Sequence, residues 1–254
     1  MRDFTITIYR RLLQELKGAG YSFQTFYEFL VSPEKRVVVI RHDIDKRRKN
    51  SLQFAYLEHA FGVRTSYYFR ILPKSFDPAI IDLIKGLGHE IGYHYEDLAL
   101  ARGNRVLAIE LFRQHLAELR CYYPVKTICM HGSPLSKFDN HDLWNFYNYR
   151  DHEVAGEPYF DVNFSQVLYL TDTGRSWNKI NTSLRDKVPA GFNLRFRSTA
   201  GILKNIDQLP DKVMFNFHPQ WWDDSFLPWL RELIVQNLKN VVKKYFLVKK
   251  NAGE

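Results

Sequence analysis

Four short apolar runs of the chain are each followed at once by side chains that can move protons or bind metal ions. Asp43 and Asp45 follow the first run, and His94, His131 and His218 follow three later ones. In a parallel α/β barrel, the carboxyl ends of the strands meet at one rim, where such enzymes keep their active sites. The pattern therefore predicts that these five side chains converge on one site.

The two aspartates are separated by one residue, Ile44. On an extended segment, residues two apart point the same way, so Asp43 and Asp45 are expected side by side. Two such carboxylates repel unless a cation lies near them or one of them holds a proton. Both states suit hydrolysis. The same residues would also fit a solvated turn that precedes a helix with a basic first turn.

His94 ends the run Gly-His-Glu-Ile-Gly-Tyr-His of residues 88–94, and Glu96 and Asp97 follow it closely. A histidine ending a strand, with two carboxylates within reach, is typical of a metal site and less typical of an isolated surface histidine.

His218 follows the apolar run of residues 213–217 and precedes Trp221 and Trp222. Because a strand alternates, Asn216 and His218 are expected to face the same side. The segment indicates an acid or base in a sugar-sized pocket, or else a histidine packed under tryptophans.

Apolar runs alternate with longer segments of helical spacing along the chain. Strands are predicted at 37–40, 65–69, 90–94, 127–130, 166–170, 192–196 and 213–217, and helices at 6–17, 49–61, 77–87, 104–120 and 226–246. This alternation predicts parallel βα units. The length of 254 residues favours a single domain, 1–254.

The chain contains 36 Lys and Arg residues against 28 Asp and Glu residues, a net charge of +8. This balance favours acidic partners without choosing among them. No recognisable nucleic-acid-binding motif is found, so no nucleic-acid partner is expected.

The N-terminus lacks the apolar core of a signal peptide, which predicts a cytoplasmic protein. Cys121 and Cys129 are expected to be unpaired, buried thiols.

At three places these residues resemble the polysaccharide deacetylase family, carbohydrate esterase family 4. Asp43-Ile44-Asp45 is similar to the D-x-D form of its first motif, and residues 88–94 are similar to the lead-in of its second. Phe217-His218-Pro219 looks like its last motif. The resemblance spans roughly residues 37–220.

The resemblance implies a distorted parallel (β/α) barrel of seven strands that hydrolyses an N-acetyl or other acyl group from a carbohydrate or glycan precursor. By that resemblance Asp43 would be the base, Asp45 and His94 ligands of a divalent metal such as zinc, and His218 the acid. Around them, the candidate substrate-binding residues are His131, Tyr95, Trp221 and Trp222.

Two positions depart from the family pattern. Leu98 stands where the family has a second metal histidine, and His131 stands where it has an arginine that orients the base. Three explanations stay open: Glu96 or His131 supplies the third ligand, the metal binds weakly, or catalysis has been lost. Glu96 is favoured, because it lies two residues from His94 and would face the same way on a continued strand.

Two other functions compete with deacetylation. One is a non-catalytic carbohydrate-binding barrel that has lost the full metal triad. The other is a metal-free glycoside hydrolase using Asp43 or Asp45, which would leave His94 and His218 without a role. A cytoplasmic enzyme would act on a precursor, such as a nucleotide sugar or a lipid-linked glycan. The basic amphipathic C-terminal helix adds peripheral membrane contact as an option.

Overall fold

The computed structural model describes residues 2–177, 188 and 191–242. All seven strands described in these ranges are parallel and form one curled sheet, a half-barrel, in the order β5, β4, β3, β2, β7, β6, with β1 beside the first half of β2. The strands are β1 Ser22–Gln24, β2 Val37–Ile44, β3 Ser66–Phe69, β4 Glu90–Tyr95, β5 Ile128–Met130, β6 Leu168–Thr171 and β7 Lys212–Phe217. The predicted fold class, a distorted parallel (β/α) barrel, is confirmed.

Helices connect the strands and cover the outside of the sheet. They are α1 Ile6–Gly18, α2 Phe26–Val31, α3 Lys49–Ala60, α4 Pro78–Gly86, α5 Asp97–Leu100, α6 Arg105–Arg120, α7 Pro158–Asp161, α8 Thr199–Leu203 and α9 Phe226–Val242. Local sequence sets several of their starts. Asp77 accepts hydrogen bonds from the amides of Ala79 and Ile80 and precedes a proline, so α4 begins there.

The central strand β2 is buried along its whole length because both faces of the sheet are covered. Val38 and Ile40 pack in the larger core cluster with the helices, whereas Val37 and Val39 pack in a smaller cluster on the inner face. By the alternation of a strand, the inner face also carries Asp43. Apolar packing thus fills the lower part of the half-barrel, and polar side chains occupy its carboxyl rim.

Some sequence expectations need correction. The predicted strand at 192–196 is irregular backbone, and Cys121 is exposed rather than buried. The two cysteines form no disulfide. The predicted helix at 226–246 is described to Val242, and its last residues lie outside the described ranges. No helix among the described residues is long and apolar enough to cross a membrane.

Close packing on the inner face predicts a large stability effect at Gly92 of β4. A methyl group added there would lie 2.3 Å from the ring of Tyr68 and 3.0 Å from the carbonyl oxygen of Thr127. We expect Gly92→Ala to lower the free energy of unfolding by about 1–3 kcal/mol, the usual cost of overpacking a core. Urea titration measures this difference.

Gly86→Ala in α4 is the matched control. A methyl group there meets no atom of the described residues within 4 Å outside its own helix. This substitution should leave stability unchanged or raise it slightly. Equal unfolding midpoints for Gly92→Ala and the wild type would contradict the packing argument.

Candidate metal centre

The sequence-predicted site residues meet at the carboxyl rim of the sheet. Asp43 lies near the end of β2 and Asp45 just beyond it, His94 lies near the end of β4, and His131 and His218 directly follow β5 and β7. Because the strands are parallel, these ends point to one place. The structure therefore brings together the five side chains that the sequence pattern singles out.

Asp45 lies at the centre of this group. Its Oδ1 is 3.5 Å from Nε2 of His94 and 3.4 Å from Nε2 of His131. Its Oδ2 is 4.0 Å from Nε2 of His218. Burial raises the pKa of Asp45, but the three histidines outweigh burial and hold the pKa well below its usual value. The carboxylate is therefore ionised at neutral pH.

Asp45, His94 and His131 could hold a metal ion, since each offers one ligand atom and these atoms all lie within 4.8 Å of one another. Oδ1 of Asp45 is buried and finds no hydrogen-bond partner in the described part of the chain. Buried polar atoms are rarely left without a partner, and a cation between the two imidazoles would provide one. The donor set, two imidazole nitrogens and one carboxylate oxygen, matches that of catalytic zinc sites.

Hydrogen bonds behind the two histidines fix their orientation. Nδ1–H of His94 donates to the carbonyl oxygen of Cys129 at 2.9 Å, and Nδ1–H of His131 donates to Glu96 at 2.9 Å. Each bond leaves the lone pair of Nε2 directed at Asp45, as metal-binding histidines require. Burial also lowers the pKa of His131, which favours the neutral imidazole.

Glu96 supports the site from behind instead of completing it. Both of its oxygens accept hydrogen bonds from Arg70, at 2.7 Å, and one of them also accepts the bond from His131. Burial raises the pKa of Glu96, but His131 and Arg70 have the larger effect and lower the pKa to about 2. The preference for Glu96 as third ligand is therefore revised in favour of the alternative, His131.

A second possible group, Asp43, His94 and Cys129, lies deeper in the half-barrel. Arg41 contacts two of its members, with NH1 at 2.8 Å from Sγ of Cys129 and NH2 at 3.4 Å from Oδ2 of Asp43. A metal ion there would face this buried guanidinium at close range, which like charges disfavour. The outer group around Asp45 is the better cation site.

Asp43 is held in place through one oxygen only. Its Oδ2 accepts hydrogen bonds from Arg41 and, at 2.9 Å, from Nδ2 of Asn216. The Arg41 guanidinium is itself fixed by the hydroxyl oxygens of Tyr159 and Tyr169, each at 2.9 Å. The other oxygen, Oδ1, has no hydrogen-bond partner among the described residues. It is therefore available to accept a proton.

His218 is paired with Asp172, a residue that sequence reasoning missed. Nδ1–H of His218 donates to Asp172 at 2.7 Å, and the same carboxylate accepts the backbone N–H of His218 and, at 2.6 Å, Nε1–H of Trp222. Burial lowers the pKa of His218, but Asp172 outweighs burial and raises it to about 9. His218 is therefore protonated at neutral pH, with Nε2–H facing Asp45.

The aromatic residues predicted to bind substrate divide into two groups. Tyr95 is fully buried against Phe112 and Trp144, because the alternation that turns His94 inward turns Tyr95 outward. Trp222 is fully buried, and its indole N–H donates a hydrogen bond to Asp172. Neither can stack on a sugar, and both assignments are corrected.

Trp221 keeps its predicted place beside His218, with ring centroids 4.4 Å apart. Its contact with substrate stays a prediction. Leu98, at the position of the missing family histidine, is 4% exposed in the hydrophobic core and does not reach the site.

Comparison of the chain with family models, curated proteins and solved structures finds no match. The assignment of function therefore depends on the geometry of the site and on the sequence motifs.

Proposed function

We propose that this protein is a metal-dependent hydrolase that removes an N-acetyl or other acyl group from a carbohydrate or glycan precursor. The observation that carries the proposal is the position of Asp45 Oδ1, which lies 3.4 and 3.5 Å from two imidazole nitrogens and has Asp43 and His218 nearby. A binding barrel or a metal-free glycosidase has no use for this combination.

Asp45, His94 and His131 would hold the ion, and zinc suits three N and O ligands with a fourth position open for water. Such an ion lowers the pKa of bound water and polarises the acyl carbonyl. In this set His131 would replace the second metal histidine of the polysaccharide deacetylase pattern, at whose position this chain has Leu98.

Two side chains, Asp43 and His218, would then carry out the proton transfers. Oδ1 of Asp43 accepts a proton as the oxygen of a water molecule forms a bond to the acyl carbon. Nε2–H of His218 donates its proton to the sugar nitrogen as the bond between carbon and nitrogen breaks. The products are the free amine of the sugar and a carboxylic acid.

Fixed neighbours keep these groups ready for their roles. Arg41 and Asn216 bind only one oxygen of Asp43, so its position is set while its basic atom stays open. Asp172 keeps His218 in the tautomer and charge state of an acid. This preorganisation supports catalysis more than simple sugar binding, which requires neither a base nor a charged acid.

The test is metal analysis of protein purified without chelator, combined with acetate release from a panel of N- and O-acetylated sugars. We expect about one divalent ion per chain and release from at least one sugar, abolished by chelation and restored by zinc. If the ion is bound and sugars bind but none is hydrolysed, the non-catalytic carbohydrate-binding function replaces this proposal.

The pairing of His218 with Asp172 predicts the alkaline limit of activity. Because the acid must carry a proton, turnover should persist below the pKa of His218, which Asp172 raises, and fall as the pH rises through it. Asp172→Asn removes the charge that raises this pKa, so the alkaline limb should move to lower pH. Steady-state rates between pH 6 and about 10 measure the alkaline limb of the wild type and of Asp172→Asn.

Trp222→Phe provides the control for this pH profile. It removes one hydrogen bond to Asp172 but keeps the charge beside His218. The alkaline limb should stay close to that of the wild type. An unchanged limb in Asp172→Asn would show that His218 is not the acid.

A further inference from the structure

Helix α9 lies along the rim that carries the site. Glu232 of α9 accepts a hydrogen bond from Lys46 Nζ at 2.7 Å, and Lys46 directly follows Asp45. Asn240, two residues before the described end of α9, donates to the carbonyl oxygen of Gly174, two residues after Asp172. The helix thus runs from the loop after β2 to the loop after β6, beside the residues that form the site.

The faces of α9 are reversed relative to an ordinary surface helix. Its polar residues Glu232 and Gln236 are buried at 8% and 5% exposure. Among its exposed apolar residues are Leu227, Ile234, Leu238 and Val241, which are between 52% and 75% exposed. Their spacing of seven, four and three residues places them on one face. We call these four residues the outer stripe.

Basic residues accompany the outer stripe. Arg231 and Lys239 are exposed on α9, and its only acidic residue, Glu232, is buried and paired with Lys46. In the sequence, Val242 is followed directly by Lys243 and Lys244. The exposed side of α9 thus combines apolar and positive side chains without a negative one, the composition typical of helices that lie in a membrane interface.

We propose that the outer stripe docks on the surface of an anionic lipid bilayer. The apolar side chains would enter the boundary between headgroups and acyl chains, and Arg231 and Lys239 would meet lipid phosphates. A second copy of the chain fits this face less well. A symmetric contact would place the same positive residues against each other, with no exposed acidic residue on either helix to pair with them.

The consequence for the enzyme rests on the proposed function. A rim held at a bilayer receives substrate from the membrane surface, so the glycan acted on would be carried by a lipid. The docking itself requires no catalysis, and the two proposals are tested by separate measurements.

Docking is measured by co-sedimentation of the full chain with vesicles of phosphatidylcholine alone and of phosphatidylcholine with phosphatidylglycerol. We expect sedimentation with the anionic vesicles only, and release at high salt as the charges are screened. Ile234→Glu and Leu238→Glu should each lower the partition coefficient by about tenfold or more, the effect of removing one buried apolar side chain and adding a charge.

Val106→Glu is the matched control, because Val106 is 68% exposed on α6 and undergoes the same change of side chain. It should bind the vesicles as the wild type does. Wild-type protein that stays in solution with anionic vesicles, or equal loss in Val106→Glu, would overturn the proposal. So would a wild-type dimer in light scattering that Leu238→Glu converts to a monomer without any vesicle binding, since a second copy would then cover the stripe.

Acetate release from a water-soluble acetylated sugar is measured on the same proteins. Activity without vesicle binding would refute docking and leave the proposed function standing. Vesicle binding without activity on any water-soluble or lipid-linked acetylated sugar would refute the proposed function and leave docking standing.

Discussion

We expect Asp43→Asn to lower the turnover of an acetylated sugar by roughly two to four orders of magnitude, the usual contribution of a positioned general base. Asparagine keeps the shape of the side chain and can still accept the hydrogen bonds of Arg41 and Asn216 through its carbonyl oxygen. Its amide cannot accept the proton that Oδ1 of Asp43 is free to take. The measurement is kcat on a substrate identified in the acetate-release panel.

Bound metal should survive in Asp43→Asn, because the ligand set around Asp45 does not include Asp43. The matched control is Asp82→Asn, an exposed carboxylate on α4 that pairs with Lys85. It should leave both turnover and metal content unchanged. Full activity in Asp43→Asn would remove this residue from the reaction, and loss of metal in the same variant would point to the deeper group with Cys129.

Simple strand periodicity was enough to predict most of the fold and the centre of the site. Each of the longer strands contains an apolar run, and Asp45, His94 and His218 lie near or just after the carboxyl ends of these strands. The segment at 192–196 shows why the same reasoning fails elsewhere. It alternates like a strand, but a strand also needs a neighbouring strand to bond with, and a local pattern cannot reveal one.

Arg70 and Asp172 fit the same rule, since each directly follows a strand, yet both were missed. A single arginine or aspartate after a strand is ordinary on a protein surface, and its role depends on the partner it meets. Arg70 follows β3 and binds Glu96, which follows β4, so a contact between elements distant in sequence favours His131 over Glu96 as the third ligand.

Tyr95 is a different case, because the sequence already contained the correction. Its position between His94 and Glu96 on an alternating strand places it on the opposite face. Trp222 required the structure, since only the fold shows that its indole N–H reaches Asp172.

We expect His131→Ala to remove most of the metal binding and with it most of the turnover. Among the described residues, His131 supplies one of the three ligand atoms of the group around Asp45, which all lie within 4.8 Å of one another, and a catalytic ion needs about three such ligands to be retained. Glu96→Gln should have a smaller effect, about 10- to 100-fold in affinity, the usual cost of losing a residue that orients a ligand. Metal titration of the chelator-treated protein measures both affinities.

Added metal separates the two variants further. Excess zinc should restore much of the turnover of Glu96→Gln, in which all three ligands remain, and little of that of His131→Ala. Affinity in the wild type should also fall as the pH is lowered, because protons compete for Nε2 of His94 and His131. If Glu96→Gln loses the ion completely while His131→Ala retains it, Glu96 is the third ligand and the carboxylate must leave Arg70 when metal binds.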